Sequence, residues 1–383
     1  MTKVLSIGTD RGLFKEGSAP RERSIGYSEK TEQFHAVVFT LKKEGFVAQK
    51  VNNLFIYPTN SVSQWLYVLD AYRLCKKIIR DNGLDKNNSV LSTQDPFQTG
   101  FVGVRLSKKF DLPLQVQIHT DFLSNHFSGF FNTVRKIIAG YVLPNAQGIR
   151  VVSSVISDSV KTKYSNLKAR IDVLPVFVDI EMFDHVHPIS KDPEGSRFFK
   201  KNIFMASRLT KEKRFDVALK TLKKVTEKDN EVGLTICGKG PEKDNIEDLE
   251  KQLGLVGKIK IRGWEDSVVL ISRYKLSDIF LMTSEFEGYG MTLIEAGAAG
   301  CPIVTTNVGI AKTDLFKNGI NSYVCPVGDI DCLSKSIIDL LEYPEKRQLF
   351  KDGMRASIKS ISMSRDEYVN RYVGLLEKLI KHV

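Results

Sequence analysis

The sequence predicts an α/β protein of two doubly wound, Rossmann-like parallel-sheet domains. Three observations carry this prediction. The chain has 383 residues, more than one ordinary core organises, so two domains are expected. Short β-branched runs alternate with helical patterns, the signature of parallel strands crossed by helices. The alternation breaks once, at a polar stretch with prolines and a glycine, and then restarts.

In the first half the strand runs are KVLSIG, FVAQKV, LFIYP, SVLST, LPLQVQIHT and IRVVS. RIDVLPVFVDIEMF, at 170–183, reads as a final strand, and helical patterns lie at 64–81 and 127–142. DHVHPISKDPEGSRFFKK reads as the interdomain linker, placed at 184–197. The second half then supplies NIFMAS, VGLTICG, KIKIRG, DIFLMTS, PIVTT and SYVCP. The expected domains are therefore 1–183 and 198–363, with a last helix at about 364–383 crossing back to the first. That helix opens on Ser364 with Glu367 three residues on, a capping-box pattern. Ligands of doubly wound sheets sit at the carboxyl ends of the strands, so a cleft between facing domains is expected.

Composition narrows the function classes. A hydrophobic content of 42% and a charged content of 26% are ordinary for a soluble protein. The five cysteines are scattered without a Cys-x-x-Cys pair, so neither a disulfide framework nor a zinc site is expected. The N-terminus enters a strand-like run without a signal-peptide core, and no run reaches the roughly 18 apolar residues of a membrane span. A cytoplasmic protein is expected, peripheral at the inner face of a membrane if it meets one. The net charge of +11 suits nucleic acid, an anionic membrane or phosphorylated small molecules. No nucleic-acid-binding motif is present, so no nucleic-acid partner is expected. No Gly-x-Gly-x-x-Gly follows the first strand, which disfavours an oxidoreductase.

The chemistry concentrates in SEFEGYGMTLIEAGAAGCPIV, at 284–304. A strand runs into a glycine-bearing turn and then a helix start rich in small residues. Glycines admit close backbone approach, and free amides at a helix N-terminus attract anions. Glu287 and Glu295 have seven residues between them. Helical rise puts them on the order of 10 Å apart. A retaining carboxylate pair stands at about 5 Å, and an inverting pair at roughly 6.5–9.5 Å remains open. Each carboxylate also suits a vicinal diol, and a sugar nucleotide carries one on either side of its diphosphate. A turn cap and a surface helix residue are the bland alternative.

The segment S-x-x-E-G-x-G-x-x-x-x-E-A-x-A-x-G-x-P-I-V resembles retaining glycosyltransferase family 4, of the GT-B fold. SRLTKEKRFD (207–216), LTICGKGPEKDNIEDLEKQLGLVGKIKIRGW, VLPVFVDIEMF and DPFQTGFVGVRLSKKFDLPLQVQIHTDF resemble further motifs of that family, in the family's order. The likeness covers most of the chain and is strongest over 202–328. It implies a metal-independent hexosyl transfer, with retention, from a nucleotide diphosphate sugar to a hydroxyl acceptor, lipid-linked or glycan. No cofactor is implied. It further implies that Arg208 and Lys213 clamp the donor diphosphate and that Gly240, Arg262 and Gly263 lie along the nucleotide. Glu295 would hold the ribose. Glu287, Gly288, Tyr289, Gly290, Met291 and Thr292 would hold the transferred sugar and its phosphate. His119 would approach the reacting centre with Glu287. A nucleotide-sugar epimerase of this architecture and a non-catalytic sugar-nucleotide-binding protein are the alternatives.

The departures are specific. VGIAKTD (308–314) stands where the family often has Gly-Gly-x-x-Glu, and Val176-Phe177 where it has Asn-Gly. The first loop lacks a Gly-Gly pair and carries Arg11, Lys15, Arg21 and Arg23, a candidate acceptor or phosphate surface. Asp329-Ile330-Asp331 imitates a metal-binding Asp-x-Asp but reads as a helix cap. Phe127, Phe130 and Phe131 beside Arg135 and Lys136 read as core, with a membrane-surface helix as the alternative.

Overall fold

The structure is a computed structural model that describes residues 2–188 and 198–380. The chain divides into two compact units, Met1–Phe177 with Met363–Val383, and Val178–Ser362.

The first unit is built on a sheet of β1 (Lys3–Gly8), β2 (Gln33–Val38), β3 (Gln49–Val51), β4 (Leu54–Pro58), β5 (Ser89–Thr93), β6 (Leu114–Ile118), β7 (Gly148–Val151) and β8 (Arg170–Val173). Their spatial order is β3-β4-β2-β1-β5-β6-β7-β8. The ladders are parallel except β3 against β4. Strands buried on both faces read as continuous runs rather than alternations, and β5 and β6 are buried at every residue. The helices are α1 (Ala19–Glu29), α2 (Tyr67–Asp81), α3 (Gln98–Phe110), α4 (Phe130–Val142) and α5 (Ser154–Lys163). Helix α3 packs against both α2 and α4.

Three sequence expectations change here. The segment QFHAVV, unassigned by pattern, is β2. Its His35 is fully buried, between the Tyr57 hydroxyl at 3.2 Å and Gln33 Oε1 at 3.1 Å. The basic first loop is largely ordered structure: a 3-10 turn at Arg11–Phe14 and then α1. Ser18 caps α1 by accepting from Arg21 N, with Pro20 in the first turn, a start signal of the expected kind. The expected strand at 170–183 is only β8, followed by a short helix α6 (Ile180–His185) whose cap is Asp179. The expected linker therefore begins inside that helix. Its residues 189–197 lie outside the described residues.

The second unit holds β9 (Lys201–Ala206), β10 (Val232–Cys237), β11 (Ile259–Arg262), β12 (Ile279–Met282), β13 (Ile303–Thr306) and β14 (Tyr323–Cys325). All pair in parallel, in the order β11-β10-β9-β12-β13-β14. The helices are α7 (Phe215–Lys228), α8 (Lys243–Gln252), α9 (Ser267–Leu276), α10 (Met291–Ala299), α11 (Ile330–Glu342) and α12 (Pro344–Ile361). The small-residue run of α10 admits α12: a Cβ on Gly297 would lie 2.8 Å from Met354 and Ile358 side chains.

The last helix, α13 (Arg365–Ile380), belongs to the first unit, where it packs on α1, β5 and β6. Ser364 N donates to Glu367 Oε2 at 2.9 Å and Glu367 N to Ser364 Oγ at 3.2 Å, which closes the capping box. Residues 381–383 of the expected helix lie outside the described residues.

One cysteine expectation is corrected. Cys325 and Cys332 form a disulfide across a Cα separation of 5.8 Å. The turn after β14 folds the first turn of α11 back onto the strand end, which brings two scattered cysteines together. Asp329 caps that helix by accepting from Cys332 N at 2.9 Å. Asp331 pairs with Lys224. The Asp-x-Asp is thus cap chemistry.

Candidate active site

In the second unit the strand order reverses between β9 and β12, so the loops that leave them part at this point and open a crevice beyond the strand ends. The β9 loop carries Arg208 and Lys213, and the β12 loop carries Glu287. The two loops are stitched together. Glu285 N donates to Glu212 O at 2.9 Å. Thr283 Oγ1, at the end of β12, donates to Lys213 O at 2.9 Å. Lys213 Nζ lies 2.7 Å from Glu287 Oε1, and Ser284 Oγ donates to that same oxygen at 2.7 Å. The lysine and glutamate side chains are only 11% and 12% exposed. Arg208 is different: its side chain is 71% exposed and touches Glu212 at 3.2 Å. The pattern is a buried ion pair with a solvent-facing guanidinium beside it.

Gly288, Tyr289 and Gly290 form the turn into α10, and Met291 and Thr292 begin the helix. Gly290 caps it at φ +99°, a left-handed conformation that glycine adopts without strain. Leu293 N donates to Gly290 O at 3.0 Å, while the Met291 and Thr292 amides at the start of α10 precede the helical ladder and lack helical acceptors. The turn is clamped from behind, where Ile310 N donates to Tyr289 O at 2.8 Å. At Gly309, in the departure motif VGIAKTD, a Cβ would lie 2.6 Å from Tyr289 O and 2.8 Å from Glu287 Cβ. The segment thus supports the turn that holds Glu287.

Glu295 sits inside α10. Its Oε2 accepts from the buried Tyr274 hydroxyl at 2.9 Å. Burial raises its pKa, and the Tyr274 hydrogen bond opposes that shift. Gly240 is required by its neighbour: a Cβ would fall 2.2 Å from Leu209 O, in the loop of Arg208. Arg262 Nε bonds Glu265 Oε1 at 3.1 Å, and Arg273 Nη2 meets the same carboxylate at 3.2 Å. Burial pushes Glu265 up, but the hydrogen bonds and charges of its partners, Arg273 foremost, bring its pKa below the usual value. Gly263 follows, with Lys239 beside it.

Sequence reasoning missed Tyr274, Ser284, Thr283 and Glu265. Ser284 stood in the quoted motif. Tyr274 gave no local signal, because its partner lies 21 residues away.

The remaining candidates belong to the first unit. His119 follows β6, with Nε2 3.2 Å from Gln117 Oε1. Water reaches the ring, yet protein crowds it on most sides. That crowding disfavours the charged form, Arg150 and Arg23 repel it, and the pKa is lowered. The three loop arginines separate. Arg11 pairs with Glu44 at 2.8 Å and donates to the Tyr67 hydroxyl at 3.1 Å. Arg21 is buried and donates to Leu13 O at 3.2 Å and to Gln49 Oε1 at 2.5 Å. Only Arg23 lines a cavity with His119. On α4, Phe130 and Phe131 are each 77% exposed, so they do not supply core as expected. Among the described residues no cluster of three or more His, Cys, Asp or Glu could hold a metal ion, and no helix is long and apolar enough to cross a membrane.

Two doubly wound units, with glycine-bearing loops gathered at the strand ends of the second, define a GT-B type of architecture. Residues 189–356 match the family described as Glycosyl transferases group 1, and residues 30–182 match Glycosyltransferase Family 4. The chain is a GT-B glycosyltransferase of the family 4 type. It is 24% identical over 283 residues to an uncharacterized glycosyltransferase of Methanocaldococcus jannaschii, covering 71% of this chain and 72% of that one. Other curated glycosyltransferases align over only 45% and 25% of their own lengths. Sucrose-phosphate synthase from Thermosynechococcus elongatus superposes with a TM-score of 0.79 at 16% identity, over 100% of both chains. Anabaena HepE, solved in complex with UDP and glucose, does so with a TM-score of 0.73 at 16% identity, over 98% of this chain and 100% of that one. These two likenesses concern the fold.

Proposed function

We propose that the protein transfers a hexosyl unit from a nucleotide diphosphate sugar to a hydroxyl acceptor, with retention of anomeric configuration and without a metal ion. The observation that carries this reading is the meeting of Lys213, Glu287 and the α10 N-terminus at the strand-order reversal. A lysine, free amides and a nearby solvent-facing arginine suit a diphosphate leaving group. Charge grows on that group as the glycosidic bond breaks, so donors fixed there stabilise the transition state. Fixed cations on the diphosphate do what a divalent ion does elsewhere. Glu295, half a helix from the turn and held by Tyr274, suits the ribose diol. The donor class gains support from HepE, which carries UDP and glucose on a similar fold.

Incubation with a panel of nucleotide sugars and simple glycosides tests the reading. Free nucleoside diphosphate with a glycosylated product of unchanged anomeric configuration is expected, and EDTA should leave the rate intact. An isomerised sugar would indicate epimerisation, binding without turnover a sensor, and an inverted product would remove the retaining mechanism.

We further infer that α4 rests on an anionic membrane surface. Phe130 and Phe131 at 77% and Ile137 at 68% exposure form an apolar face beside Arg135 and Lys136. Binding to anionic vesicles should fall with salt and on replacing both phenylalanines by serine. Indifference of the wild type to such vesicles at low salt would discard the idea.

A further inference from the structure

The first unit contains a cavity of about 120 Å³, several times the space one water requires. It lies under α1 and α13 and beside Gly8 and Gln94, which end β1 and follow β5. The strand order reverses between these two strands, so this is the ligand-binding position of a doubly wound sheet.

Its lining is unusual in charge. Arg150 is only 4% exposed, and among the described residues it meets no carboxylate within ion-pair distance. Its guanidinium donates to neutral groups alone. Nε and Nη2 reach Leu174 O at 3.3 and 3.1 Å, and Nη2 also reaches Pro175 O at 3.1 Å and the Tyr368 hydroxyl at 2.7 Å. Nη1 makes one bond, to Gln117 Oε1 at 2.8 Å, where it has two hydrogens to give. The rings of Tyr368 and Tyr372 flank the cation at 5.9 and 5.4 Å. None of these partners cancels its charge. Arg23, half-buried on α1, lines the same cavity and forms no ion pair among the described residues. The one carboxylate in the lining, Asp10, accepts from Gly12 N at 2.9 Å as a turn cap. A buried cation without a counter-charge is costly unless a ligand supplies one.

We propose that this cavity is an oxyanion site that holds a phosphate of the acceptor between Arg23 and Arg150. The Arg23 guanidinium can present its fork to a phosphate, and the one spare Nη1 hydrogen of Arg150 has an acceptor when phosphate is bound. His119 lines the same cavity, and after burial the charges of Arg150 and Arg23 are what lower its pKa, so its ring would report an anion bound between them. Arg11 and Arg21, which looked equivalent in sequence, are engaged elsewhere. Assigning the phosphate to the acceptor rests on the transferase reading; the anion site itself does not.

The test is a titration of the full chain with inorganic phosphate at constant ionic strength, followed by the His119 imidazole NMR signal, assigned through His119→Asn. A saturable shift is expected. Arg23→Gln should weaken phosphate at least about tenfold, Arg23→Lys should recover most of it, and UDP affinity should be unchanged in both. No saturable shift, or wild-type phosphate affinity in Arg23→Gln, overturns the site. Displacement of phosphate by glycerol 3-phosphate marks a soluble acceptor, and displacement by dihexanoyl phosphatidic acid marks a lipid one. Either supports the assignment, and displacement by neither overturns it. Loss of the transferase reading would instead appear as intact phosphate binding with no sugar transfer from any donor.

Discussion

Lys213 and Glu287 form a 2.7 Å ion pair, although they reach the same place from loops 74 residues apart. Each fixes the other, and Ser284 fixes the glutamate again. Glu287→Gln and Lys213→Gln should each reduce kcat/KM for the donor by roughly 2–4 kcal/mol, the range for a removed transition-state stabiliser. Because each variant also frees the partner, the double variant should lose clearly less than the two losses added. A double-mutant cycle measures this. Full additivity would mean that the residues act on substrate without regard to each other.

Tyr274 is the positioning residue for Glu295. Tyr274→Phe removes the donor to Oε2, which is the influence that holds the carboxyl pKa down against burial. UDP should bind about tenfold more weakly, a difference of ~1.4 kcal/mol. The pKa of Glu295 should also rise, so the protonated form persists to higher pH. UDP affinity in the variant should therefore begin to fall at a higher pH than in the wild type. Calorimetry across pH checks both. An unchanged pH profile would leave Tyr274 a packing residue only.

The second unit was legible because most of its strands are buried parallel runs: β9, β10, β12 and β13 are buried almost throughout. All six runs read from the sequence became its strands. The first unit was less so. β2 contains a histidine and a glutamine whose mutual hydrogen bond appears only once the strand exists. Arg21 and Arg23 look alike in a loop, but two positions along a helix they point to different faces, one into protein contacts and one into the cavity. The Lys213–Glu287 contact was also invisible: the resemblance put both residues near the donor, but only the crossing of two loops makes them partners.

Gly309 is a test of how tightly the turn of Gly288, Tyr289 and Gly290 is clamped. Gly309→Ala would force a Cβ into Tyr289 O and Glu287 Cβ, at 2.6 and 2.8 Å, in a residue already at φ +54°. Shifting the turn by a few tenths of an ångström moves Glu287 against its lysine, so kcat should fall at least tenfold while circular dichroism stays native. Gly374→Ala, where nothing lies within 4 Å of the added Cβ, is the control and should have wild-type kinetics. Equal behaviour of the two variants would separate the 308–314 segment from the reaction.

His35 should make the first unit acid-sensitive. Its ring is fully buried, and burial foremost, with the charge of Lys3, lowers its pKa from 6.5 to about 4. In the unfolded chain it takes a proton near pH 6.5, while in the folded sheet it stays neutral until about pH 4. The unfolded state therefore binds more protons between those values, and stability is lost as pH falls through that window. The full difference amounts to about 3 kcal/mol as an upper figure. His35→Phe would keep the stacking on Phe55, now at 4.9 Å between centroids, but give up the bonds to Tyr57 and Gln33. It should be less stable at pH 7 and yet lose less stability on going to pH 4.5. Hydrogen exchange of the β1, β2 and β4 amides in both proteins reads this locally, and the carboxylates, common to both, cancel in the comparison. Parallel pH dependence in the two would show that His35 titrates alike folded and unfolded, and would remove it as the source of acid sensitivity.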